Sequence, residues 1–231
     1  MTDQPLHILL LGQGKTGSIV AEVAKERRHH VTALTEIENA GGRWLTAENL
    51  RGVDVAIDFT KPDAVVTNIA RCIAAKTPMV VGTTGWYGEI DRIKREVEQA
   101  GTGFVFGSNF SYGVNLFFQL ARAAAPALQH GYAGHITETH HIHKKDAPSG
   151  TAIALQRVVE QASGVRADIS SVREGDVMGI HTLELSSSGD RMVLTHEVMS
   201  RRTFAEGAVL AAEWIVGKAG FYDFKDIFGR L

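Results

Sequence analysis

The stretch HILLLGQGKTG, residues 7–17, decides the fold of this chain. Its first five residues are largely apolar and predict a strand, and apolar positions recur at helical spacing over 16–26. Between strand and helix, Gly12, Gly14 and Gly17 predict a tight turn. A GxGxxG turn of this kind lets a pyrophosphate approach the helix N-terminus, although it also occurs as a plain packing turn. The stretch therefore predicts a strand-turn-helix unit that is a candidate dinucleotide site.

Strand and helix patterns alternate through the rest of the first half. Apolar, β-branched runs predict strands at 31–35, 53–59, 79–81 and 104–106, and helical patterns cover 62–75 and 88–100. Strands that alternate with helices indicate a parallel sheet. The runs at 53–59 and 79–81 are apolar at almost every position, as expected for strands that are buried on both faces. The first half is thus predicted to be a Rossmann-type, doubly wound α/β domain.

After Asn115 the pattern changes to that of an α+β domain. Helices are predicted from 115 to about 128 and from about 149, with strands at 134–143, near 171, at 180–187 and at 191–198. The last two strands alternate apolar and polar residues and flank a Ser- and Gly-rich turn, which favours antiparallel pairing in a mixed, open sheet. An Ala-rich helix at 203–218 is predicted to return to the first domain. The predicted domains are therefore 1–110 together with 204–231, and 111–203.

Composition limits the class of partner. The chain has 231 residues, 44% of them hydrophobic, and a formal net charge of -2 with Lys and Arg spread along the sequence. No basic field favours nucleic acid or an anionic membrane, so small molecules are the expected partners. The single cysteine, Cys72, and the short polar start at 1–5 predict a cytoplasmic setting without a secretory signal. No stretch approaches the roughly 20 apolar residues that a membrane span needs.

The predicted cofactor site combines the glycine turn with an acidic residue that follows the second strand. The candidate contacts in the turn are Gly12, Gln13, Gly14, Lys15, Thr16 and Gly17. A P-loop is excluded because Leu9 stands where that motif needs a glycine. Glu36 can accept hydrogen bonds from the adenosine ribose and would repel a 2′-phosphate, which favours NADH over NADPH. Lys15 and Arg43 can partly compensate, and a solvated acidic turn is the alternative interpretation of Glu36.

Two further loops follow the fourth and fifth predicted strands. Both fall at the carboxyl edge of the sheet, where ligands of parallel sheets bind. Their candidate cofactor contacts are Gly82, Thr83, Thr84, Gly107, Ser108, Asn109 and Phe110. Small hydroxyl and amide side chains in these loops can orient a nicotinamide ring, whereas ordinary turn chemistry explains the same residues equally well.

Titratable residues are densest in the segment ETHHIHKKDAPSGTA, residues 138–152. Three histidines in four positions suggest a metal site. However, adjacent strand side chains point to opposite faces and no Cys or carboxylate completes a ligand set, so no metal is predicted. The run PSGT at 148–151 resembles a helix opening whose N–H groups and hydroxyl bind a carboxylate. With Lys144 and the histidines nearby, the segment holds candidate general acids; a capped helix behind a charged loop is the alternative.

The same segment carries a family resemblance. It is similar to the signature E-x-H-H-x-x-K-x-D-A-P-S-G-T-A of the 4-hydroxy-tetrahydrodipicolinate reductases. Further similar stretches lie at 58–60, 82–85, 109–115, 171–176 and 200–205. The glycine turn differs from the GxxGRMG loop of many members. The resemblance spans nearly the whole chain.

This resemblance implies the NADH- or NADPH-dependent reduction of a cyclic dicarboxylate on the diaminopimelate route to lysine. It implies a catalytic role for His140 and Lys144, with Lys144 as the better proton donor. The implied substrate contacts are His141, Ser149, Gly150 and Thr151. Its cofactor contacts fall on the glycine turn, on Glu36 and on the two later loops. The second domain then binds substrate and joins a homotetramer through its sheet.

Two rival functions differ in what they need from these residues. A two-domain aspartate dehydrogenase shares the cofactor fold but has no need of the His-His-x-x-Lys to Ser-Gly-Thr segment. A redox-sensing protein that holds the cofactor without turnover has no use for a proton donor beside an anion site. The predicted reaction requires that residues 140–144 face the nicotinamide ring across a cleft between the two domains.

Overall fold

The computed structural model describes residues 4–231, which divide into two compact units. The first unit contains the chain up to Tyr112 and again from Arg201 to Leu231, and the second contains Gly113–Ser200. The first unit was predicted to end at residue 110, two residues before the observed limit, and to resume at residue 204, three residues after the observed one. The prediction of no secretory signal rested on the polar start at 1–5. Part of that segment lies outside the described residues.

The helices and strands follow the predicted alternation. The strands are β1 (His7–Leu11), β2 (His30–Leu34), β3 (Val55–Asp58), β4 (Met79–Val81), β5 (Gly103–Phe106), β6 (Ala133–His140), β7 (Asp168–Arg173), β8 (Ile180–Ser186), β9 (Arg191–Glu197) and β10 (Gly220–Asp223). The α-helices are α1 (Lys15–Glu26), α2 (Pro62–Ala74), α3 (Ile90–Ala100), α4 (Tyr112–Ala124), α5 (Gly150–Ser163), α6 (Arg202–Ile215) and α7 (Phe224–Ile227).

The first unit is built on a six-stranded parallel sheet in the order β10-β5-β4-β3-β1-β2. Alternate residues of a strand face opposite sides. Accordingly, Ile8 and Leu10 pack in one buried cluster with α6, while Leu9 and Leu11 pack in a second cluster with α2 and α3. This confirms the predicted Rossmann-type sheet that is covered on both faces. Strand β10 was not predicted, because its four residues are only half-buried at the sheet edge.

The second unit contains a four-stranded mixed sheet in the order β7-β6-β8-β9. Strand β6 pairs parallel with β7 and antiparallel with β8, and β8 pairs antiparallel with β9, as predicted for the last two strands. Ile136, Leu183 and Leu185 are fully buried with residues of α4 and α5 on one face. The opposite face carries Thr, Ser, Val and charged side chains, so the sheet is covered on one side within this unit.

Several predicted element ends differ from those of the structure by up to four residues, including the end of the helix predicted at 203–218, and two of these differences have local causes. The strand predicted at 134–143 ends at His140, because the N–H of Lys144 bonds to the carbonyl oxygen of His141 and turns the chain. The helix predicted to reach about 128 ends as an α-helix at Ala124 and continues as a 3-10 turn. Pro126 explains this change, since its ring has no N–H for the helical ladder and clashes with the preceding turn.

A charged triad around the buried carboxylate of Glu213 ties α1 and α6 together in the first unit. The Glu213 carboxylate accepts hydrogen bonds from Arg27 Nε and Nη2, at 2.7 and 2.8 Å, and from His29 Nε2 at 2.8 Å. His29 Nδ1 in turn accepts the N–H of Leu6 at 3.1 Å, so Nε2 carries the proton. Burial alone would raise the pKa of Glu213, but the bonds from Arg27 and His29 outweigh it and the pKa is lowered.

We expect Glu213→Gln to lower the free energy of unfolding by about 2 kcal/mol, because glutamine keeps only one acceptor oxygen and leaves a donor of Arg27 or of the buried His29 without a partner. Urea denaturation followed by circular dichroism measures the change. The matched control is Glu206→Gln on the same helix, which breaks only the exposed pair with Arg202 and should cost at most about 1 kcal/mol. Equal losses in the two variants would show that burial of the triad is unimportant.

Candidate active site

The loops that follow the parallel strands of the first unit share one edge of the sheet. Parallel strands have their carboxyl ends on the same side, so the loops after β1 to β5 lie together there. The predicted cofactor residues at 12–17, 36, 82–84 and 107–110 all belong to these loops or to the first turn of α1. The fold therefore brings together four segments that are far apart in the sequence.

The glycine turn needs glycine at two positions. Gly12 has a φ of +92°, and its Cβ would lie 2.4 Å from the carbonyl oxygen of Phe59. A Cβ on Gly17 would lie 2.0 Å from the carbonyl oxygen of Gly12. Gly14 differs, because its φ is -72° and, apart from its chain neighbours, no atom of residues 4–231 lies within 4 Å of its Cβ position. Gly14 therefore borders open space at the start of α1.

This open space fits a pyrophosphate. Gly14 is the N-cap of α1, and within the described chain no side chain forms a capping hydrogen bond there. The first N–H groups of a helix have no intrahelical partner, and together with the helix dipole they attract an anion. The backbone at Gly14 can also be approached closely because no side chain stands in the way.

The predicted ribose contact, Glu36, lines a cavity of about 180 Å³ beside the glycine turn. Lys61 lines the same cavity, and its Nζ lies 2.6 Å from Oε2 of Glu36. The guanidinium of Arg43 donates instead to the carbonyl oxygens of the two residues that follow Glu36, at 2.6 and 3.1 Å. The cation beside Glu36 is therefore Lys61, which sequence reasoning did not single out, and Arg43 holds the loop.

A second cavity, of about 240 Å³, lies at the loops after β4 and β5. It is lined by Thr16, Phe59, Gly82, Gly107, Ser108, Asn109, Phe110 and Phe204. Most of the residues that were predicted to contact the nicotinamide therefore line one cavity. Thr83 and Thr84 are not among them: Thr84 is exposed, whereas Thr83 is buried and its hydroxyl donates to the carboxylate of Asp58 at 2.6 Å.

Asp58 organises this edge of the sheet, and sequence reasoning did not assign it a role. It ends β3, is fully buried, and accepts hydrogen bonds from the hydroxyls of Thr60 and Thr83 at 2.7 and 2.6 Å. Its other oxygen accepts the side-chain amide of Asn68 at 2.8 Å, and Asn68 accepts that of Asn39 at 2.9 Å. A buried carboxylate with several donors holds the loops in one arrangement.

In the second unit, strand pairing assembles a polar group at the end of β6. Glu138 and His140 are two residues apart on one strand and share its buried face, and His181 of β8 is the register partner of Glu138. His140 Nδ1 pairs with Oε2 of Glu138, and Arg173 Nη2 lies 2.9 Å from Oε1. The rings of His140 and His181 meet edge to face at 5.1 Å. His181 is a member of this group that sequence reasoning missed.

The electrostatics of this group keep its histidines neutral. Burial lowers the pKa of His140, and the nearby Glu138 carboxylate offsets this only in part. Burial, and then the charge of His140, lowers the pKa of His181 to about 4. Burial would raise the pKa of Glu138, but hydrogen bonds from Ser171 and Arg173 outweigh it and the pKa is lowered. Because neutral His140 donates from Nδ1 to Glu138, its Nε2 is an acceptor at neutral pH.

The predicted proton donor and the predicted anion site lie on the segment that follows β6. Nζ of Lys144 donates to both carboxylate oxygens of Asp146, at 2.8 and 2.9 Å, and this bond lowers the pKa of Asp146. Ser149 is the N-cap of α5, and its hydroxyl oxygen accepts the N–H of Ala152 at 3.2 Å. Gly150 and Thr151 form the first turn of α5, as predicted for a helix that opens toward an anion. His141 lies outside the Glu138 group, with its ring 6.3 Å from that of His143.

Glu138, His140 and His181 also have the composition of a metal site, with potential ligand atoms within 4.8 Å of one another. No carboxylate was expected to complete such a set, whereas strand pairing places Glu138 beside the two histidines. Both of its oxygens are engaged, one with Arg173 and one with His140. A cation would have to displace an arginine from this carboxylate, so the contacts favour an ion-paired network over a metal centre.

We expect acid to destabilise the protein through His181. In the unfolded chain a histidine takes up a proton near pH 6.5, whereas the pKa of His181 in the folded protein is about 4. Its neutral form therefore stabilises the fold fully above about pH 6.5, and this contribution is lost as the pH falls toward 4. The free energy of unfolding should drop by about 2 kcal/mol from about pH 7 to about pH 5 from this group alone.

Urea denaturation at a series of pH values measures this loss. The comparison is His181→Leu, which removes the titrating ring but leaves Glu138, Lys144, His140 and His196 in place. Its stability should depend less steeply on pH than that of the wild type. The same slope in both proteins would assign the acid sensitivity to other groups.

The parallel sheet, the glycine turn and the two edge cavities define the class of this protein as a two-unit, dinucleotide-dependent oxidoreductase. Comparison with known proteins narrows the class. Residues 6–110 match the family described as dihydrodipicolinate reductase, N-terminus, and residues 113–228 match dihydrodipicolinate reductase, C-terminus. The chain belongs to the dihydrodipicolinate reductase family.

Individual relatives agree with this membership. The chain is 38% identical to the 4-hydroxy-tetrahydrodipicolinate reductase of Christiangramia forsetii, over 98% of this chain and 99% of the relative. Its fold matches a dipicolinate-bound dihydrodipicolinate reductase from Paenisporosarcina sp. with a TM-score of 0.82 at 20% identity, over 97% of this chain and 100% of the other. An aspartate dehydrogenase from Thermotoga maritima, the rival class, matches with a TM-score of 0.50 at 10% identity, over 93% and 98%. The described helices include none that is long and apolar enough to cross a bilayer.

Proposed function

We propose that this protein is a 4-hydroxy-tetrahydrodipicolinate reductase of the diaminopimelate route to lysine. The reaction converts (2S,4S)-4-hydroxy-2,3,4,5-tetrahydrodipicolinate, NAD(P)H and a proton into tetrahydrodipicolinate, NAD(P)⁺ and water. The first unit binds the dinucleotide and the second binds the diacid. The observation that carries the proposal is the group formed by His140, Glu138 and the start of α5, in a chain whose other unit has an open glycine turn.

The residues of the first unit suit a nicotinamide dinucleotide. Gly12 to Gly17 hold the pyrophosphate, Glu36 accepts from the ribose hydroxyls, and residues 82–84 and 107–110 orient the ring. The bound cofactor supplies the hydride. The side chain of Thr83 stays on Asp58, so this residue contributes through its backbone and by fixing the loop.

Lys144 is the proton donor in this proposal. Its ammonium group is paired with the exposed carboxylate of Asp146, and a substrate carboxylate would compete with Asp146 for it. His140 is neutral at the pH of the cell and carries a free acceptor nitrogen, so it orients the ring and the ammonium group rather than supplying the proton.

The diacid is bound at the start of α5. Ser149, Gly150 and Thr151 offer a hydroxyl and helix N–H groups to one carboxylate, and His141 is placed by the family resemblance among the same contacts. Dipicolinate, which a structural relative binds, has the same two carboxylates on a planar ring. It therefore serves as a stable ligand with which binding is measured apart from turnover.

The test follows cofactor absorbance while the purified protein meets substrate that the preceding synthase makes from pyruvate and aspartate semialdehyde. We expect oxidation of NADH or NADPH that depends on both the synthase and this protein. No oxidation above the background of the synthase alone would contradict the proposed reaction.

We expect NADH to be the better cofactor, because the carboxylate of Glu36 repels a 2′-phosphate in the same cavity. The measurement is kcat/KM with NADH and with NADPH. The preference should be moderate, since the ammonium group of Lys61 lies 2.6 Å from Glu36 and reduces this repulsion. Equal efficiency with both cofactors, or higher efficiency with NADPH, would count against Glu36 as the selecting residue.

The proposed assembly is a cytoplasmic homotetramer joined through the sheets of the second unit. The uncovered face of that sheet carries Thr137, Thr182, Thr195 and the exposed Val193 in adjacent strands, together with the charged residues Glu184 and Arg191. A sheet face that is not covered within its own unit suits packing against a copy of itself in a two-fold contact. Sedimentation velocity tests the tetramer.

A further inference from the structure

We propose that His181 is a positioning residue that sets the Ser149 hydroxyl to donate to a carboxylate of the bound diacid. The proposal rests on the proposed function and deepens it. No part of the resemblance to known reductases assigned His181 a role. It lies on β8, 41 residues beyond His140 and 32 beyond Ser149 in the chain, and pairing of β8 with β6 brings it to both.

The contacts of His181 join the two parts of the substrate site. Its Nε2 lies 3.1 Å from the hydroxyl oxygen of Ser149, and its ring meets His140 edge to face at 5.1 Å. His181 is 3% exposed and Ser149 is 2% exposed, so the bond between them does not compete with bulk water. The ring thus fixes the distance between His140 and the start of α5.

The tautomer of His181 follows from its other nitrogen. Nδ1 is buried and has no hydrogen-bond partner among the described residues. A buried N–H without an acceptor is costlier than a buried lone pair without a donor, so the proton of neutral His181 sits on Nε2. Nε2 then donates to Ser149.

With Nε2 of His181 as a donor, the Ser149 hydroxyl can act toward a ligand only by donating a hydrogen bond. Its oxygen already accepts the N–H of Ala152 at 3.2 Å, as the cap of α5, and with His181 it accepts a second hydrogen bond. Both lone pairs are then occupied, so the hydroxyl hydrogen is what Ser149 can offer a ligand. A hydroxyl that can only donate selects a carboxylate and disfavours an ammonium or amide N–H group.

The residue directly before strand β8 also leaves room for His140. Gly179, two residues before His181, has a φ of +155°, and its Cβ would lie 2.9 Å from Nε2 of His140. The residue that leads into β8 therefore makes space for the acceptor nitrogen of His140, and His181 on the strand orients Ser149. This supports a positioning role for the strand as a whole, in addition to the packing of the sheet.

The test measures dipicolinate binding by isothermal titration calorimetry and NADH binding by fluorescence, for His181→Leu, His181→Gln, Ser149→Ala and the double variant His181→Leu/Ser149→Ala. We expect His181→Leu to raise the Kd for dipicolinate at least about tenfold, which is the effect of one hydrogen bond to a charged group. The Kd for NADH should stay within about twofold, because the glycine turn is unaltered. His181→Gln, whose amide can reach the position of Nε2, should recover most of the affinity.

The double variant separates positioning from general packing. If His181 acts through Ser149, the two losses are not additive, and the double variant binds dipicolinate about as weakly as Ser149→Ala. The matched control is His196→Leu: His196 is the half-buried register partner of His181 on β9, and Ser149 is not bonded to it. It should leave the Kd unchanged.

Three results overturn the inference: wild-type affinity in His181→Leu, an equal loss in His196→Leu, or additive losses in the double variant. If His181→Leu does not fold, the comparison of His181→Gln with Ser149→Ala still tests the inference. A loss of dipicolinate affinity in His181→Gln as large as that in Ser149→Ala would contradict the role of Nε2. A wild-type protein that binds no dipicolinate and oxidises no cofactor would instead contradict the proposed function. This outcome is distinguishable from the three results above.

Discussion

Replacing Lys144 with alanine is expected to lower kcat about 1000-fold or more while the affinity for NADH stays unchanged. A positioned general acid contributes roughly 100- to 10,000-fold, and the buried, neutral His140 cannot take over the role. The lost ammonium group also removes a partner of the substrate carboxylate, so KM should rise as well. Steady-state kinetics with synthase-generated substrate, together with NADH titration by fluorescence, measure both effects.

The matched control is the adjacent residue, Lys145→Ala. Lys145 has the same charge and side chain but is exposed, and the proposal gives it no contact with substrate. It should retain wild-type turnover. Normal turnover of Lys144→Ala would refute its assignment as the acid, and loss of NADH binding in that variant would place Lys144 in a different role.

Replacing Gly14 with alanine is expected to raise the Kd for NADH about 30-fold or more without loss of stability. Its backbone conformation suits any residue, and apart from its chain neighbours no atom of residues 4–231 lies within 4 Å of the added methyl group. The fold should therefore tolerate alanine: it caps a helix about 0.5–1 kcal/mol less well than glycine, and the lower entropy of the unfolded chain offsets this by about 0.4–1 kcal/mol. A pyrophosphate must approach this backbone closely, and misplacement by about 1 Å can cost 100-fold.

The combination of intact stability and lost affinity makes this variant informative. Gly17→Ala would not serve, since its methyl group would lie 2.0 Å from the carbonyl oxygen of Gly12 and disturb the turn itself. The control is Gly88→Ala, at an exposed glycine that also borders open space but lies outside the predicted site. Wild-type NADH affinity in Gly14→Ala would mean that the pyrophosphate does not bind at this turn.

Local patterns in the sequence were sufficient for the fold class. The β1 run HILLL, the glycines after it and the continuous apolar runs of β3 and β4 predicted a parallel sheet buried on both faces, and the two clusters around β1 confirm it. Element ends were less predictable. The end of β6 depends on a turn at His141, and β10 depends on pairing with β5, so neither leaves a signal in its own residues.

The candidate site was predictable where its residues are contiguous. The segment 138–152 and the glycine turn stand out by composition alone, and their placement at a strand end and at two helix starts agrees with the interpretation. Lys61, Asp58 and His181 were missed for a common reason. Each acts through a partner that is distant in sequence, namely Glu36, Thr83 and Ser149, and only strand pairing brings the partners within hydrogen-bond distance.

The sequence by itself determined the two-part architecture, the family and the segment that carries the chemistry, because hydrophobic period, turn glycines and a contiguous signature are properties of neighbouring residues. The tertiary structure decided the electrostatic state of that chemistry. Whether His140 is neutral and which nitrogen it presents depend on its burial and on its contact with Glu138, whereas Ser149 is held by His181 from β8. Burial and long-range pairing arise only when the sheet is assembled, since desolvation and hydrogen-bond geometry are set by the surrounding atoms and not by residue type.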